Sequence, residues 1–290
     1  MLFTLLRAMR PRQWTKNALI FAALVFDQQL LRSGPLLRTL AAFGLMCLLA
    51  SSVYLINDLA DVEKDRLHPV KRGRPIASGA LPRGVAVGAA VILPLAALPL
   101  AFALDWRFGV IALLYLAKEL LYSFWLKHVA IIDVLVLASG FVLRVGAGVA
   151  VITVTRFSPW LYICISLLAL FIGFGKRRAE LAQLSSQAGG TRAVLDAYTL
   201  PYLDELINVV SAATIMAYSL YTFSAENLPQ NHAMMLTIPF VLYAIFRYLY
   251  LIHVRNEGGA PDELVLTDRP LQITFILWGL TSVLLLYLAQ

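Results

Sequence analysis

Charge is scarce in this sequence. Charged residues fill 14% of its 290 positions, whereas hydrophobic residues fill 60%. A soluble domain ordinarily carries roughly 25% charged residues, so too little charge is present to coat a water-soluble particle. The mean hydropathy of +0.76 agrees. The same arithmetic excludes a disordered chain, a collagen and a coiled coil. Cysteine is scarcer still. Cys47 and Cys164 both lie inside apolar runs, and no CxxC spacing exists, so neither a zinc nor a redox site is supported. A free cysteine in such a run packs as a small hydrophobe. His68, His232 and His253 are scattered in loops, which argues against a histidine metal site. No cleavable leader is evident: the first apolar run follows Arg7, Arg10, Arg12 and Lys16, with no small-residue cleavage site before Asp27.

What the chain has in abundance is long apolar stretches. A spanning helix needs about 20 mostly apolar residues, and nine such runs are expected at 17–32, 37–57, 84–104, 107–124, 129–151, 159–175, 204–223, 234–252 and 270–289. The runs are continuous rather than alternating, which argues for helices and against a β-barrel. The expected fold is therefore all-α: a polytopic membrane bundle of nine transmembrane helices, with residues 1–290 as a single domain. The net charge is +7 and the pI about 9.5. In a soluble protein that excess would suggest nucleic acid. In a membrane protein it reports orientation first, and then anionic ligands. With the N-terminus cytoplasmic, seventeen of the 24 basic residues fall on inside segments and four on outside ones. The positive-inside rule then puts the C-terminus outside and the polar loops 58–83, 176–203 and 253–269 in the cytoplasm of a cell (inner) membrane protein. These loops are expected to cap the site.

The densest chemistry is Asn57-Asp58-Leu59-Ala60-Asp61-Val62-Glu63-Lys64-Asp65. Asp58, Asp61 and Asp65 are spaced to share one helical face. Like charges so placed repel, and a bound divalent cation would offset this. Hard oxygen donors suit Mg²⁺ held together with substrate phosphates. A solvated helix end paired with nearby bases fits the same spacing. The next segment, Arg66 to Pro75, carries Arg66, Lys71, Arg72 and Arg74, and such groups bind phosphate. A second basic run, Lys176-Arg177-Arg178 followed by Glu180, closes the sixth apolar run. Asp133 and Arg144 lie inside the fifth, where a buried charge is a functional candidate. Tyr122, Lys127 and His128 lie at the turn before it. Arg10 to Asn17, RPRQWTKN, reads equally as an interfacial anchor and as a phosphate grip through Lys16 and Asn17.

NDLADVEKD resembles the NDxxDxxxD motif of the UbiA superfamily of intramembrane prenyltransferases. RPRQWTKN, DRLHPVKRGRPIASG (65–79), LKHVAIIDVLVLASGFVLRVGAG (126–148), GKRRAEL (175–181), FRYLYL (246–251) and PDELVLTDRP (261–270) resemble the decaprenyl-phosphate phosphoribosyltransferase branch of that superfamily. The resemblance covers nearly the whole chain. It implies a Mg²⁺-dependent transfer from 5-phosphoribosyl 1-diphosphate to a polyprenyl phosphate, releasing diphosphate, for lipid-linked pentose and cell-envelope synthesis. The sequence departs from the wider superfamily where prenyl diphosphate users carry a second Asp-rich motif: Lys176, Arg177 and Arg178 stand there instead. The expected metal ligands are Asn57, Asp58, Asp61 and Asp65. The expected catalytic residues are Asp58, Asp61, Lys127 and Arg144. Lys16, Asn17, Arg66, Lys71, Arg74, Tyr122, Lys176, Arg177, Arg178 and Glu180 are expected to bind substrate. An aromatic prenyltransferase and an anion or lipid transporter are the competing functions. Prenyl chain length stays open, and so does a homo-oligomer.

Overall fold

Lipid offers no hydrogen-bond partner to a peptide group, so a spanning segment must satisfy its backbone internally. The computed structural model describes residues 1–290 except 70, 155–157, 185–192, 226, 227, 230, 256, 258–263, 265, 266, 289 and 290. Among the described residues, all regular structure is helical. The helices are α1 (Leu2–Ala8), α2 (Phe21–Phe26), α3 (Ser33–Ala60), α4 (Val62–Leu67), α5 (Arg83–Leu104), α6 (Trp106–Phe124), α7 (Ile132–Val151), α8 (Pro159–Leu184), α9 (Leu200–Ser224), α10 (Ile238–His253) and α11 (Arg269–Leu288). Expectations resting on Arg156, Ser185, Arg192, residues 261–263 and Gln290 lie outside the described residues.

Seven helices among the described residues are long and apolar enough to cross a membrane, not the nine expected. Two of the expected runs fall short for different reasons. The run 17–32 is broken: Pro11–Ile20 winds as a 3₁₀ helix, α2 lasts 6 residues, and Gln28 takes a left-handed φ of 56°. Trp14 and Asn17 in this stretch donate to Ser51 Oγ and Cys47 Sγ, so polar side chains tie it down where a spanning helix would be smooth. The run 107–124 is helical throughout, as α6, but carries Arg107, Lys118 and Glu119.

The chain gathers into two compact units. Unit 1 holds residues 1–25, 29–124 and 143–154, and unit 2 holds 26–28, 125–142 and 155–290. In unit 1, α5 buries Ala86, Ala90, Ala97 and Ala101 and exposes Val87, Val91, Ile92, Leu95 and Leu100. Small residues on one face let backbones approach, and the large ones are left for lipid. α3 uses that approach: Ser52 Oγ donates to the Ala90 carbonyl at 2.7 Å. Asp105 ends α5 and caps α6, accepting from the Arg107 amide at 2.8 Å. The core around them is Ile20, Leu24, Met46, Leu49 and Phe108. A smaller cluster of Ala8, Leu55, Val62, Ile76 and Leu81 packs under the acidic motif. Unit 2 buries Val134, Phe171, Leu203, Ile207 and Leu251. Thr199 caps α9 by accepting from the Tyr202 amide.

Gly148 of α7 marks the tightest crossing in unit 1, because a Cβ there would run into the Ile20 carbonyl. Gly148→Ala is therefore expected to destabilise the protein by about 1–3 kcal/mol, the usual range for overpacking. Gly279→Ala, in a helical position with nothing within 4 Å, is expected to be neutral or to gain up to about 1 kcal/mol of helix propensity. Unfolding of both variants in detergent checks this; equal stability would remove the crossing.

Candidate active site

The acidic motif does not lie on one continuous helix. α3 stops at Ala60, Asp61 caps it, and α4 begins at Val62. With 28 residues, α3 is roughly 42 Å long, against about 30 Å of hydrocarbon. Its end therefore reaches the head-group boundary, where a carboxylate can be tolerated. Asp58 and Asp65 turn inward and are 2% and 3% exposed. Both meet one nitrogen: Arg74 Nη1 donates to Asp65 Oδ2 at 2.6 Å and to Asp58 Oδ1 at 3.1 Å. Arg10 Nη2 donates to the same Asp58 oxygen at 2.5 Å, with its guanidinium 5.1 Å over the Tyr54 ring. Arg10 reaches it from a left-handed backbone, φ 56°, between α1 and the 3₁₀ segment. Arg74 follows the short Lys71–Gly73 turn, its amide bonded to the Lys71 carbonyl at 2.9 Å.

The other expected residues of this motif and of the basic segment after it are less buried than Asp58 and Asp65. Asp61 and Asn57 are half-buried. Among the described residues no three Asp, Glu, His or Cys side chains gather as a metal-binding group. Arg66 turns to Glu63 and to the Ala77 carbonyl. Arg83 and then Arg66 hold the Glu63 carboxyl below its ordinary range. Lys71 is half-buried.

A second polar cluster is buried in unit 1. Arg144 donates to Asn17 Oδ1 at 2.7 Å and to the Tyr115 hydroxyl at 3.0 Å. Asn17 passes the chain on, donating to Cys47 Sγ at 3.2 Å. Lys118, 5.4 Å from the Tyr115 ring centre, pairs with Glu119 at 2.7 Å. Lys16 and Tyr122 are half-buried on the 3₁₀ segment and on α6.

In unit 2 the basic run is spent largely on the protein itself. Arg177 is 1% exposed, and its Nε donates to Asp133 Oδ2 at 2.6 Å while Nη1 donates to Glu180 at 2.6 Å. Arg178 pairs with Asp204 at 2.5 Å and donates to the Ile252 carbonyl at 3.0 Å. Asp133 also accepts from the Tyr198 hydroxyl at 2.8 Å, and that hydroxyl accepts from the Ile131 amide at 2.6 Å. Ile131 has φ 68°, a left-handed backbone that a β-branched residue rarely adopts. Burial raises the Tyr198 phenol above its ordinary pKa, so it remains a proton donor to Asp133. Lys176 and Lys127 are half-buried, the latter in the short Leu126–His128 turn. Sequence reasoning overlooked Arg10 as a site residue, and it missed Tyr198 and Asp204 altogether. Arg10 was visible within RPRQWTKN, but nothing in the pattern signalled Tyr198 or Asp204.

Two carboxylates with two arginines can hold a cation on the acids and an anion on the bases. The donor set fits the Mg²⁺ implied by the resemblance: Asp58 Oδ1 and Asp65 Oδ2 already converge on one positively charged atom, and carboxylate oxygens are the donors a hard cation prefers.

An all-helical, multi-pass membrane fold with an acidic site at a helix end has clear counterparts. The profile of the UbiA prenyltransferase family matches residues 18–264, and the chain belongs to that family of membrane transferases. It is 37% identical to a decaprenyl-phosphate phosphoribosyltransferase of Mycolicibacterium smegmatis, over 94% of this chain and 89% of the relative. With the enzyme of the same name from Corynebacterium glutamicum it shares 36% identity, over 98% and 87%. The fold is similar to a UbiA homolog from Archaeoglobus fulgidus solved with DMAPP and Mg²⁺. That likeness has a TM-score of 0.73 at 18% identity and covers 98% of this chain and 99% of the other.

Breaking one side of a buried ion pair leaves a bare charge and typically removes about 3–5 kcal/mol. Asp133→Asn is expected to fall in that range, and Tyr198→Phe, which strands one amide, in the range of about 1–3 kcal/mol. Denaturation in detergent measures both. If Asp133→Asn behaves like a change at exposed Asp196, the network contributes nothing to the fold.

Proposed function

We propose that this protein transfers the 5-phosphoribosyl group of 5-phosphoribosyl 1-diphosphate to a polyprenyl phosphate. The observation that carries the reading is the identity to two decaprenyl-phosphate phosphoribosyltransferases along nearly the full chain. The sequence at Lys176-Arg177-Arg178, which is basic where a prenyl diphosphate user is expected to carry a second acidic motif, supports it by speaking against a prenyl diphosphate donor. The family match runs through both units, which supports treating 1–290 as one transferase domain.

In the proposed reaction, an oxygen of the lipid phosphate forms a bond to the anomeric carbon. The bond from that carbon to the diphosphate oxygen breaks, and diphosphate departs with the electron pair. The attacking phosphate is already anionic, so no strong general base is required. When bound, Mg²⁺ would offset the charge that develops on the leaving diphosphate. Asp58 and Asp65 would hold it, with Asp61 and Asn57 completing the set. Arg74, Lys71 and Lys16 would orient phosphate groups, and fixed orientation lowers the barrier of such a displacement. Arg177 and Arg178 are held by Asp133 and Asp204, and half-buried Lys176 at the start of the same run is proposed as a phosphate contact. The N-terminus and the loops 58–83, 176–203 and 253–269 would face the cytoplasm, where a phosphorylated sugar is available.

Mass spectrometry of lipid formed by purified protein from polyprenyl phosphate, Mg²⁺ and labelled donor tests the reaction. A lipid carrying phosphoribose is expected; prenylation of an aromatic acceptor with no such lipid would overturn it. Asp61→Asn is expected to lower kcat/KM by at least about 100-fold, because metal-borne charge stabilisation is worth several kcal/mol. Asp61 caps α3 and α4 through its backbone and makes no side-chain cap hydrogen bond, so the melting temperature of Asp61→Asn should stay near wild type. Activity near wild type at saturating Mg²⁺ would remove Asp61 from the site. Orientation has its own check. A Cys introduced at exposed Ser78 should resist impermeant thiol reagents in intact cells and react once the membrane is opened. The two native cysteines are buried and give little background. Efficient labelling from outside would reverse the topology.

A further inference from the structure

Arg74 Nη1 sits between two carboxylates that the proposed reaction needs for metal. We infer that Arg74 is a built-in counter-ion that a divalent cation must displace, so that Arg74 sets the metal affinity of the substrate-free protein. This rests on the metal-dependent reading above. The geometry is specific. One nitrogen touches Asp65 Oδ2 at 2.6 Å and Asp58 Oδ1 at 3.1 Å. A Mg²⁺ ion needs carboxylate oxygens at about 2.0–2.1 Å. The same two oxygens cannot close on an ion while a guanidinium nitrogen stands between them.

Arg74 also has the means to leave. Its side chain is 28% exposed, so a path to solvent exists. Its backbone is held on both sides, with its amide on the Lys71 carbonyl and its carbonyl receiving the Ser78 amide, each at 2.9 Å. The turn can therefore stay in place while the long side chain swings away. Arg10 differs in kind. It touches Asp58 alone and lies over the Tyr54 ring, so it competes for one oxygen and can keep Asp58 partly neutralised during the exchange. Without either arginine or a metal, Asp58 and Asp65 would be two buried like charges, which is unfavourable. Seating of Arg74 and binding of the cation are thus alternative ways to meet one electrostatic demand.

Calorimetric or spin-resonance titration of detergent-solubilised, substrate-free protein with Mn²⁺ tests this. Arg74→Gln is expected to bind Mn²⁺ roughly tenfold more tightly than wild type or better, the size of one lost charge-assisted bond, and Arg10→Gln is expected to shift the affinity less. In chelator, Arg74→Gln should also melt below wild type, and saturating Mn²⁺ should close the gap. If Arg74→Gln fails to fold in chelator, Arg74→Lys, with one point of attachment in place of a fork, should shift affinity in the same direction by less. Equal or weaker Mn²⁺ binding by the Arg74 variants, with wild type binding normally, overturns the competition and leaves the metal site standing. No Mn²⁺ binding by wild type overturns both.

Discussion

A carboxylate shut away from water needs a positive partner, and much of this molecule is arranged to provide one. At the end of α3 the demand is doubled, because Asp58 and Asp65 are both nearly inaccessible and close enough to share Arg74. The N-terminal segment turns through a left-handed residue to bring Arg10 onto Asp58. The turn after α4 brings Arg74. The cluster of Ala8, Leu55, Val62, Ile76 and Leu81 beneath them packs the three chain segments that must meet. Packing and charge thus support each other here: the apolar floor positions the arginines, and the arginines permit the acids to be buried.

Unit 2 meets the same demand differently. Asp133 is neutralised by Arg177 and receives a hydroxyl from Tyr198, which in turn takes the amide of strained Ile131. Both Asp133 oxygens, the Tyr198 hydroxyl and the Ile131 amide have a partner, and a buried network satisfied in this way stabilises rather than weakens a fold. A network closed in this way has little left to offer a ligand. The unit 1 cluster is the more open of the two, since both of its arginines are partly exposed. For that reason the Asp58–Asp65 cluster is the one proposed to carry the chemistry.

Much of the architecture is legible in hydropathy. The run expected at 84–104 is α5, Arg83–Leu104, and the run at 107–124 is α6, Trp106–Phe124. Local pattern misleads where charges are paired through space. The run expected to end at 175 continues as α8 to Leu184, because Arg177 and Arg178 are neutralised by Asp133, Glu180 and Asp204 and do not stop the helix. The run 17–32 has the composition of a span but opens inside a 3₁₀ segment whose Trp14 and Asn17 bond to Ser51 and Cys47, partners that lie 37 and 30 positions away. The acidic motif was legible as a candidate site from its spacing. Its helix break at Asp61 and its second arginine, Arg10, depend on tertiary contacts that spacing does not encode. Asp133 stood out as an intramembrane charge, yet its partners could be found only in the folded chain.

The proposed chemistry requires that one positive group at a time occupy the space between Asp58 and Asp65. Cryo-electron microscopy of the protein in chelator, and again with Mg²⁺ and 5-phosphoribosyl 1-diphosphate, measures this directly. In chelator, Arg74 should lie within hydrogen-bond distance of both carboxylates. With metal and donor, density for the ion should replace it, and the guanidinium should be clear of Asp65. A bound Mg²⁺ elsewhere, with Arg74 still bridging the two acids, would contradict the account.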